Sequence, residues 1–143
     1  MNANAELLNF VYQNSGMGVD TLNQLLDIVE SDAFRKQIES QLKGYRDFNE
    51  KAKAMLNENG YNEKDISAFQ KMTSNVMINV KTMTDKSSSH IAEMMLTGSN
   101  MGVIDAIKSI KKYEHDAEKD IVSLMKKLLD FEEKNIEKLK EFL

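Results

Sequence analysis

Two pairs of residues, each a histidine followed three positions later by a glutamate, are the strongest candidates for chemistry in this chain. His90 and Glu93 lie in the stretch HIAE, and His115 and Glu118 repeat the spacing. An imidazole and a carboxylate one helical turn apart can supply two ligands to an iron or manganese ion. Near the start of a helix the same residues can instead serve as solvated groups that favour the helix dipole. We favour the second interpretation and predict no metal site and no cofactor.

Patterns typical of other active sites are not found. The chain has no cysteine, which excludes disulfides and thiolate chemistry and agrees with a reducing compartment. Ser87, Ser88 and Ser89 have no base nearby and are typical of a loop that begins a helix. Glu132 and Glu133 are interpreted as part of a solvated face. Since neither a nucleophile–base pair nor a phosphate-binding glycine loop is present, we expect no enzymatic activity.

Methionine is unusually frequent, with ten residues, six of them between positions 72 and 101. Flexible thioether side chains suit an adaptable surface for a partner or a lipid, but they also fill gaps between packed helices, which is the interpretation we favour. A methionine-rich core leaves open a third use, the carriage of a small apolar ligand. Tyr12 and Tyr45 are possible lining residues of a small cavity, although aromatic core positions are commoner.

Bulk composition limits the class of protein and its partners. The chain has 143 residues, of which 29% are charged and 41% hydrophobic, as expected for one globular domain. Its net charge is −4 with acids and bases interspersed, so we expect no nucleic-acid partner. It has no basic leader, and no apolar run approaches the roughly 20 residues of a membrane span. We therefore expect a cytoplasmic protein without a membrane span.

The elements that position these residues are predicted to be helices only. The chain lacks proline and is rich in Leu, Ile, Met, Lys and Glu, which favour helix over strand. In four stretches the apolar residues recur at alternating spacings of three and four, as on one face of a helix. The predicted helices cover residues 4–30, 33–57, 88–113 and 116–142. Gly60 is predicted to end the second helix.

The connection over residues 61–87 contains a further apolar stripe. Ser67 and Gln70 have the spacing of a capping box, which predicts the start of a fifth, shorter helix. The stripe consists of Phe69, Met72, Val76, Val80 and Met83. Because such a stripe needs cover, either the bundle itself or a second subunit must pack on it, and we expect a homodimer.

A weak internal repeat relates the two halves of the chain. SGMGV at residues 15–19 returns as SNMGV at residues 99–103, a shift of 84 that becomes 83 after one gap and then pairs Phe48 with Phe131. The repeat predicts a duplicated helical hairpin, with copies at residues 4–60 and 88–143. Chance similarity between helices rich in Lys, Glu and Leu is the alternative.

The repeat places glycine in the middle of two helices, where each residue costs about 1 kcal/mol relative to alanine. If the connection over residues 61–87 runs the length of the bundle, the third helix is antiparallel to the first. A twofold relation then places Gly18 opposite Gly102. We predict that these glycines, with their neighbours Met17 and Met101, allow the two helices to approach closely. A local kink at each glycine is the alternative.

Two hairpins joined by a long crossover form the plan of the ferritin-like four-helix bundle. The stretch TLNQLLDIVESDAFRKQIESQLKGYRDFNEKAKAMLNENGY, which ends in Gly60 and Tyr61, resembles small bacterial ferritin-like proteins of unknown function and spore-coat-F-type domains. The resemblance implies a ferritin-like fold and an association with spores or stress. Iron-handling relatives carry Glu-x-x-His on two helices. Here Ser87 and Lys112 stand three residues before the histidines, so we do not transfer the di-iron chemistry.

We therefore expect an all-α, ferritin-like bundle that acts as a non-catalytic structural or protein-interaction domain. The first alternative is an iron- or manganese-binding bundle with an atypical site that uses His90, Glu93, His115 or Glu118. The second alternative is a carrier of a small apolar ligand.

Overall fold

The architecture is known from a computed structural model, which describes residues 2–62 and 83–143. These residues form four α-helices and no strand, so the predicted all-α class is confirmed for the part of the chain described. The helices are α1 (Ala3–Leu26), α2 (Asp32–Glu58), α3 (Ser88–Tyr113) and α4 (Lys119–Lys140). None of these four helices combines the length and the apolar character that a membrane crossing requires.

The helix predicted within residues 61–87 lies outside the described residues, as do its capping pair and its stripe up to Val80. Of the stripe, Met83 is described, and it packs half-buried against a hydrophobic cluster.

Helix α1 ends at Leu26, four residues earlier than predicted. The side chain of Arg35 provides hydrogen bonds to the backbone carbonyls at and after this end. The guanidinium of Arg35 donates to the carbonyl oxygens of Leu26, at 2.9 Å, and of Val29, at 2.6 Å. These carbonyls would otherwise lack a partner at the helix end. Val29 remains buried outside the helix, which explains why the apolar spacing overestimated its length. Ser31 then caps α2 by accepting a hydrogen bond from the backbone N–H of Phe34.

The end of α2 follows the prediction at Gly60, which has a φ of 75°. The N–H of Tyr61 bonds to the carbonyl of Leu56 at 2.8 Å, and the N–H of Gly60 bonds to the carbonyl of Asn57 at 3.1 Å. These two bonds form a Schellman motif, which needs a left-handed residue at the position of Gly60.

Two hydrophobic clusters, one at each end of the bundle, define how the helices run. The lower cluster joins the starts of α1 and α4 to the ends of α2 and α3, and its core includes Leu7, Leu8, Val11, Leu56, Ile110, Ile121, Met125 and Leu128. The upper cluster joins the opposite helix ends and includes Leu22, Leu25, Phe34, Ile38, Ile91, Met95 and Leu139. Helix α3 therefore runs antiparallel to α1 and begins at the end of the bundle opposite to the one where α2 ends.

Candidate functional site: a cavity at a buried carboxylate

A carboxylate lies inside the bundle, where α4 faces α1 and α2. Glu132 is only 2% exposed. The hydroxyl of Tyr45 donates to its two oxygens at 2.8 and 2.9 Å, and the side-chain amide of Asn14 donates to Oε1 at 3.1 Å. The solvated face predicted for Glu132 and Glu133 is therefore wrong for Glu132, whereas Glu133 is exposed.

One signal in the sequence could have indicated this burial. Glu132 follows Leu128 by four residues and Met125 by seven, and it precedes Leu139 by seven. Residues at these spacings share one face of a helix. All three of those residues are buried in the hydrophobic clusters. The adjacent Glu133 hid this signal, because two consecutive acids suggest a solvent-facing position.

Burial and hydrogen bonding act in opposite directions on the pKa of Glu132. Burial raises the pKa above its ordinary value of 4.5, and hydrogen bonds from Tyr45, Asn14 and Ser99 lower it, with the rise prevailing. Burial and the Glu132 charge raise the pKa of Tyr45 well above 10.0. Tyr45 therefore keeps its proton at neutral pH and remains a donor to the carboxylate.

Two further amide groups lie buried near this carboxylate. Gln41 and Asn135 are 2% and 6% exposed. Gln41 Nε2 has no hydrogen-bond partner among the described residues, whereas the amide of Asn135 acts on the hydroxyl of Tyr45 without reaching ideal hydrogen-bond geometry. A buried donor without a partner costs about 1–3 kcal/mol, so each such group requires an explanation, such as a bound molecule or the opposite orientation of the amide.

The mid-helix glycines make room for side chains of this site. A Cβ on Gly18 would lie 2.7 Å from the ring of Tyr45, so only glycine lets that ring lie against α1. Phe131 contacts Tyr45 edge-on with ring centroids 5.0 Å apart, which leaves the ring no easy movement away from Gly18. A Cβ on Gly102 would first meet Asn14 Oδ1, at 3.3 Å.

Gly18 was expected to face α3 and Gly102 to face α1, and the neighbours differ from this expectation at Gly18 only. Gly18 receives an aromatic side chain of α2, whereas Gly102 faces an amide of α1 and, at 3.9 Å, the carboxylate of Glu132. Their neighbours Met17 and Met101 line the same cavity as the two glycines. The sequence thus marked the correct region of the molecule, but not the contacts that require glycine there.

The cavity has a volume of about 120 Å³ and receives residues from all four helices. Its polar lining includes the buried residues Gln41, Tyr45, Ser99 and Glu132, together with the half-buried Asn14 and Asp105. The apolar lining consists of Met17, Leu22, Leu25, Met94, Met95 and Met101. Tyr45 therefore occupies the cavity-lining position considered for it, whereas Tyr12 lies outside this cavity.

The two histidine–glutamate pairs are not among the residues that line the cavity, and they lie at opposite ends of the bundle. His90 and Glu93 occupy the first turns of α3, near the upper cluster. The imidazole of His115, whose side chain is 89% exposed, lies 3.8 Å from Glu114. Glu118 occupies the N-cap position of α4 at the other end of the bundle, where its side chain makes no capping hydrogen bond and its backbone N–H donates to Asn4 Oδ1. Within residues 2–62 and 83–143, no three or more His, Cys, Asp or Glu side chains converge as metal ligands.

Comparisons with known proteins assign no family to this chain. No family model, no curated protein and no solved structure matches it. The site combines a small apolar volume with a buried carboxylate–phenol pair. Such a site can bind the apolar body of a small molecule and orient one polar group against the carboxylate.

Proposed function

We propose that the protein is a non-catalytic binding bundle that holds one small, largely apolar molecule in this cavity. The observation behind the proposal is the cavity of about 120 Å³, which four methionines and two leucines line beside the Tyr45–Glu132 pair. An engineered cavity of about 150 Å³ binds benzene, so a molecule of about six heavy atoms is the appropriate size. Thioether side chains adapt their shape to such a guest.

The composition of the lining argues against a simple packing defect. Protein interiors usually leave few voids, and this one adjoins buried polar groups rather than aliphatic side chains alone. Gly18, Gly98 and Gly102 line it, and Gly98 has no atom within 4 Å of the place where its Cβ would stand. Helix propensity favours a larger residue at each of these positions. Gly18 and Gly102 give this room to the side chains of Tyr45 and Asn14, which form the polar lining, and the exposed Gly98 leaves the cavity open to solvent.

Methyl NMR of the methionines tests the proposal, with isopentanol as the probe. We expect the signals of the lining residues Met17, Met94, Met95 and Met101 to shift on titration. Met125, which is buried in the lower cluster, provides the internal reference and is expected to remain in place. The proposal is wrong if no lining signal moves at millimolar probe, or if Met125 moves as much as the lining signals.

A blocking substitution identifies the cavity itself as the place of binding. Gly98 and Asn100 are both exposed on α3, but only Gly98 lines the cavity, so Gly98→Phe places a ring at its opening whereas Asn100→Phe adds the same ring outside the lining. We expect isopentanol binding to weaken at least tenfold in Gly98→Phe and to stay within twofold in Asn100→Phe. Equal effects of the two substitutions would contradict a site in the cavity.

A second candidate function, interaction with another copy of the chain, is supported by α3. Met101, Ile104 and Ile107 recur every third residue on this helix and are 37%, 53% and 37% exposed. Adjacent exposed apolar side chains favour association, and a homodimer is the simplest assembly that covers them. Sedimentation equilibrium tests this. We expect a dimer that Ile104→Lys dissociates and that Asn57→Lys, on the exposed face of α2, leaves intact. A monomer at micromolar concentration would exclude the dimer.

For the origin of the bundle, we propose a ferritin-like type built from a duplicated hairpin, in a cytoplasmic protein associated with spores or stress. Phe48 and Phe131, which correspond in the repeat, contact each other with ring centroids 5.3 Å apart. Equivalent residues meet in this way near a twofold axis, which supports the duplication. The antiparallel direction of α1 and α3 also suits that plan.

The metal-binding alternative depends on His90 and Glu93. Metal analysis of untagged protein tests it. One equivalent of iron or manganese in the wild-type protein that is absent from His90→Ala would support this alternative. Protein that purifies without metal, and takes up none on addition of either ion, would exclude it.

A further inference from the structure

We propose, as an extension of the binding function above, that the cavity selects a small organic cation. Its ligand would be a primary alkylamine with a short apolar body, whose ammonium group lies against the carboxylate of Glu132. The inference rests on the proposed binding function and specifies the chemical class of the ligand.

The charges of the cavity lining favour a cation. Two carboxylates line the cavity, Glu132 on its buried side and the half-buried Asp105 on α3. No lysine, arginine or histidine is among the described residues that line it. The donors to Glu132 are neutral groups, from Tyr45, Asn14 and Ser99. A buried carboxylate is stabilised most by an opposite charge. An ammonium ion would supply the positive charge that is absent from this lining.

The side-chain amide of Gln41 fits an ammonium group in one of its two orientations. Gln41 is buried, lines the cavity and leaves its Nε2 without a partner among the described residues. Rotation of a side-chain amide by half a turn exchanges its nitrogen for its oxygen. In that orientation Gln41 presents an acceptor, so that one ammonium group can donate both to it and to Glu132.

The apolar part of the lining limits the chemistry and size of the ligand beyond its ammonium group. Methionine and leucine side chains give the amine no further polar partners, so its body must be aliphatic or aromatic. The volume of about 120 Å³ restricts the part of the ligand inside the cavity to about six heavy atoms, by comparison with the cavity that holds benzene. Isopentylamine has this size and shape.

A metal cation and an anion fit the same lining less well. Divalent cations such as Ca²⁺ take six to eight oxygen ligands, often from several carboxylates. The described residues bring no three metal-ligating side chains together, and only one carboxylate is deeply buried at the cavity. An anion would lie beside the charge of Glu132, which repels it.

Calorimetric titration with isopentylamine and isopentanol tests the inference, because the two molecules share their shape and differ in charge. At pH 7 we expect the amine to bind at least tenfold more tightly than the alcohol. Glu132→Gln should remove this preference and leave isopentanol affinity within threefold. Glu133→Gln, at the exposed neighbouring position, should preserve it and serves as the matched control.

The outcomes separate this inference from the proposed function. If the wild-type protein binds amine and alcohol equally, the cation preference is overturned while the binding function stands; this comparison requires no variant to fold. Persistence of the preference in Glu132→Gln would also overturn it. If neither probe binds and no lining methionine signal moves, the binding function itself fails.

Discussion

The two ends of this bundle are built from the same four helices but differ in how the space between the helices is filled. In the lower cluster, Leu7, Val11, Ile121 and Leu128 are fully buried, and aliphatic side chains fill the space between the helices. Beside the upper cluster, glycines and methionines line a cavity into which the helices direct polar side chains. The lower end is therefore organised for stability, whereas the middle and upper part holds a buried charge and an unfilled volume, both of which cost stability.

The largest expected difference between the two ends concerns leucine truncation. Leu128→Ala should lower the free energy of unfolding by about 3–5 kcal/mol, because it opens a new cavity in a closed core. Leu22→Ala, on the cavity lining, should cost about 2 kcal/mol or less, because it enlarges a space that already exists. Denaturant unfolding of both variants measures the difference, and equal costs would contradict the distinction between the two ends.

Glycine substitution sharpens the comparison within the cavity lining. Gly18→Ala should lower the free energy of unfolding by about 1–3 kcal/mol, since its Cβ would overlap the ring of Tyr45. Gly98→Ala, with open space around its Cβ, should raise stability by about 0.5–1 kcal/mol through helix propensity. Thermal and denaturant unfolding provide the measurements. Stabilisation by both substitutions would show that Gly18 is not required for the Tyr45 ring.

Removal of one hydroxyl tests the hydrogen bonding of the buried carboxylate. Tyr45→Phe should cost about 1.5–3 kcal/mol at pH 7, because it removes a donor from a buried charged group. The cost should shrink as the pH falls and Glu132 becomes protonated. Tyr12→Phe, at a half-buried tyrosine outside this cavity, is the control and should have little effect. A cost that does not change with pH would contradict an ionised Glu132 at neutral pH.

The smallest expected effect is a dependence of stability on pH. The pKa of Glu132 is raised in the folded protein, so its contribution to stability is fully present below 4.5, the ordinary value, and is lost as the pH rises through the folded pKa. The free energy of unfolding of the wild-type protein should therefore fall, relative to that of Glu132→Gln, as the pH rises from 4.5 through the folded pKa of Glu132. A constant difference between the two proteins across the interval would show that burial does not shift this group.

Sequence patterns predicted the helices better than the site, and the reason is physical. Periodic spacing identifies the buried face of each helix, and the left-handed position at Gly60 follows from local chemistry alone. The site depends on partners far apart in the chain, because Tyr45 and Asn14 meet Glu132 across three helices. Periodicity does not show which side chains meet across a bundle, so Gly18 was assigned to α3 instead of to the Tyr45 ring of α2, and Glu132 was assigned to solvent.

Carboxyl ¹³C NMR of Glu132, assigned by the loss of its signal in Glu132→Gln, tests most directly whether a buried carboxylate lies at the centre of the site. We expect its titration midpoint to lie above 4.5 in the free protein, to rise further in Tyr45→Phe, and to fall when isopentylamine is bound. A midpoint at or below 4.5 that neither the substitution nor the amine changes would contradict the account.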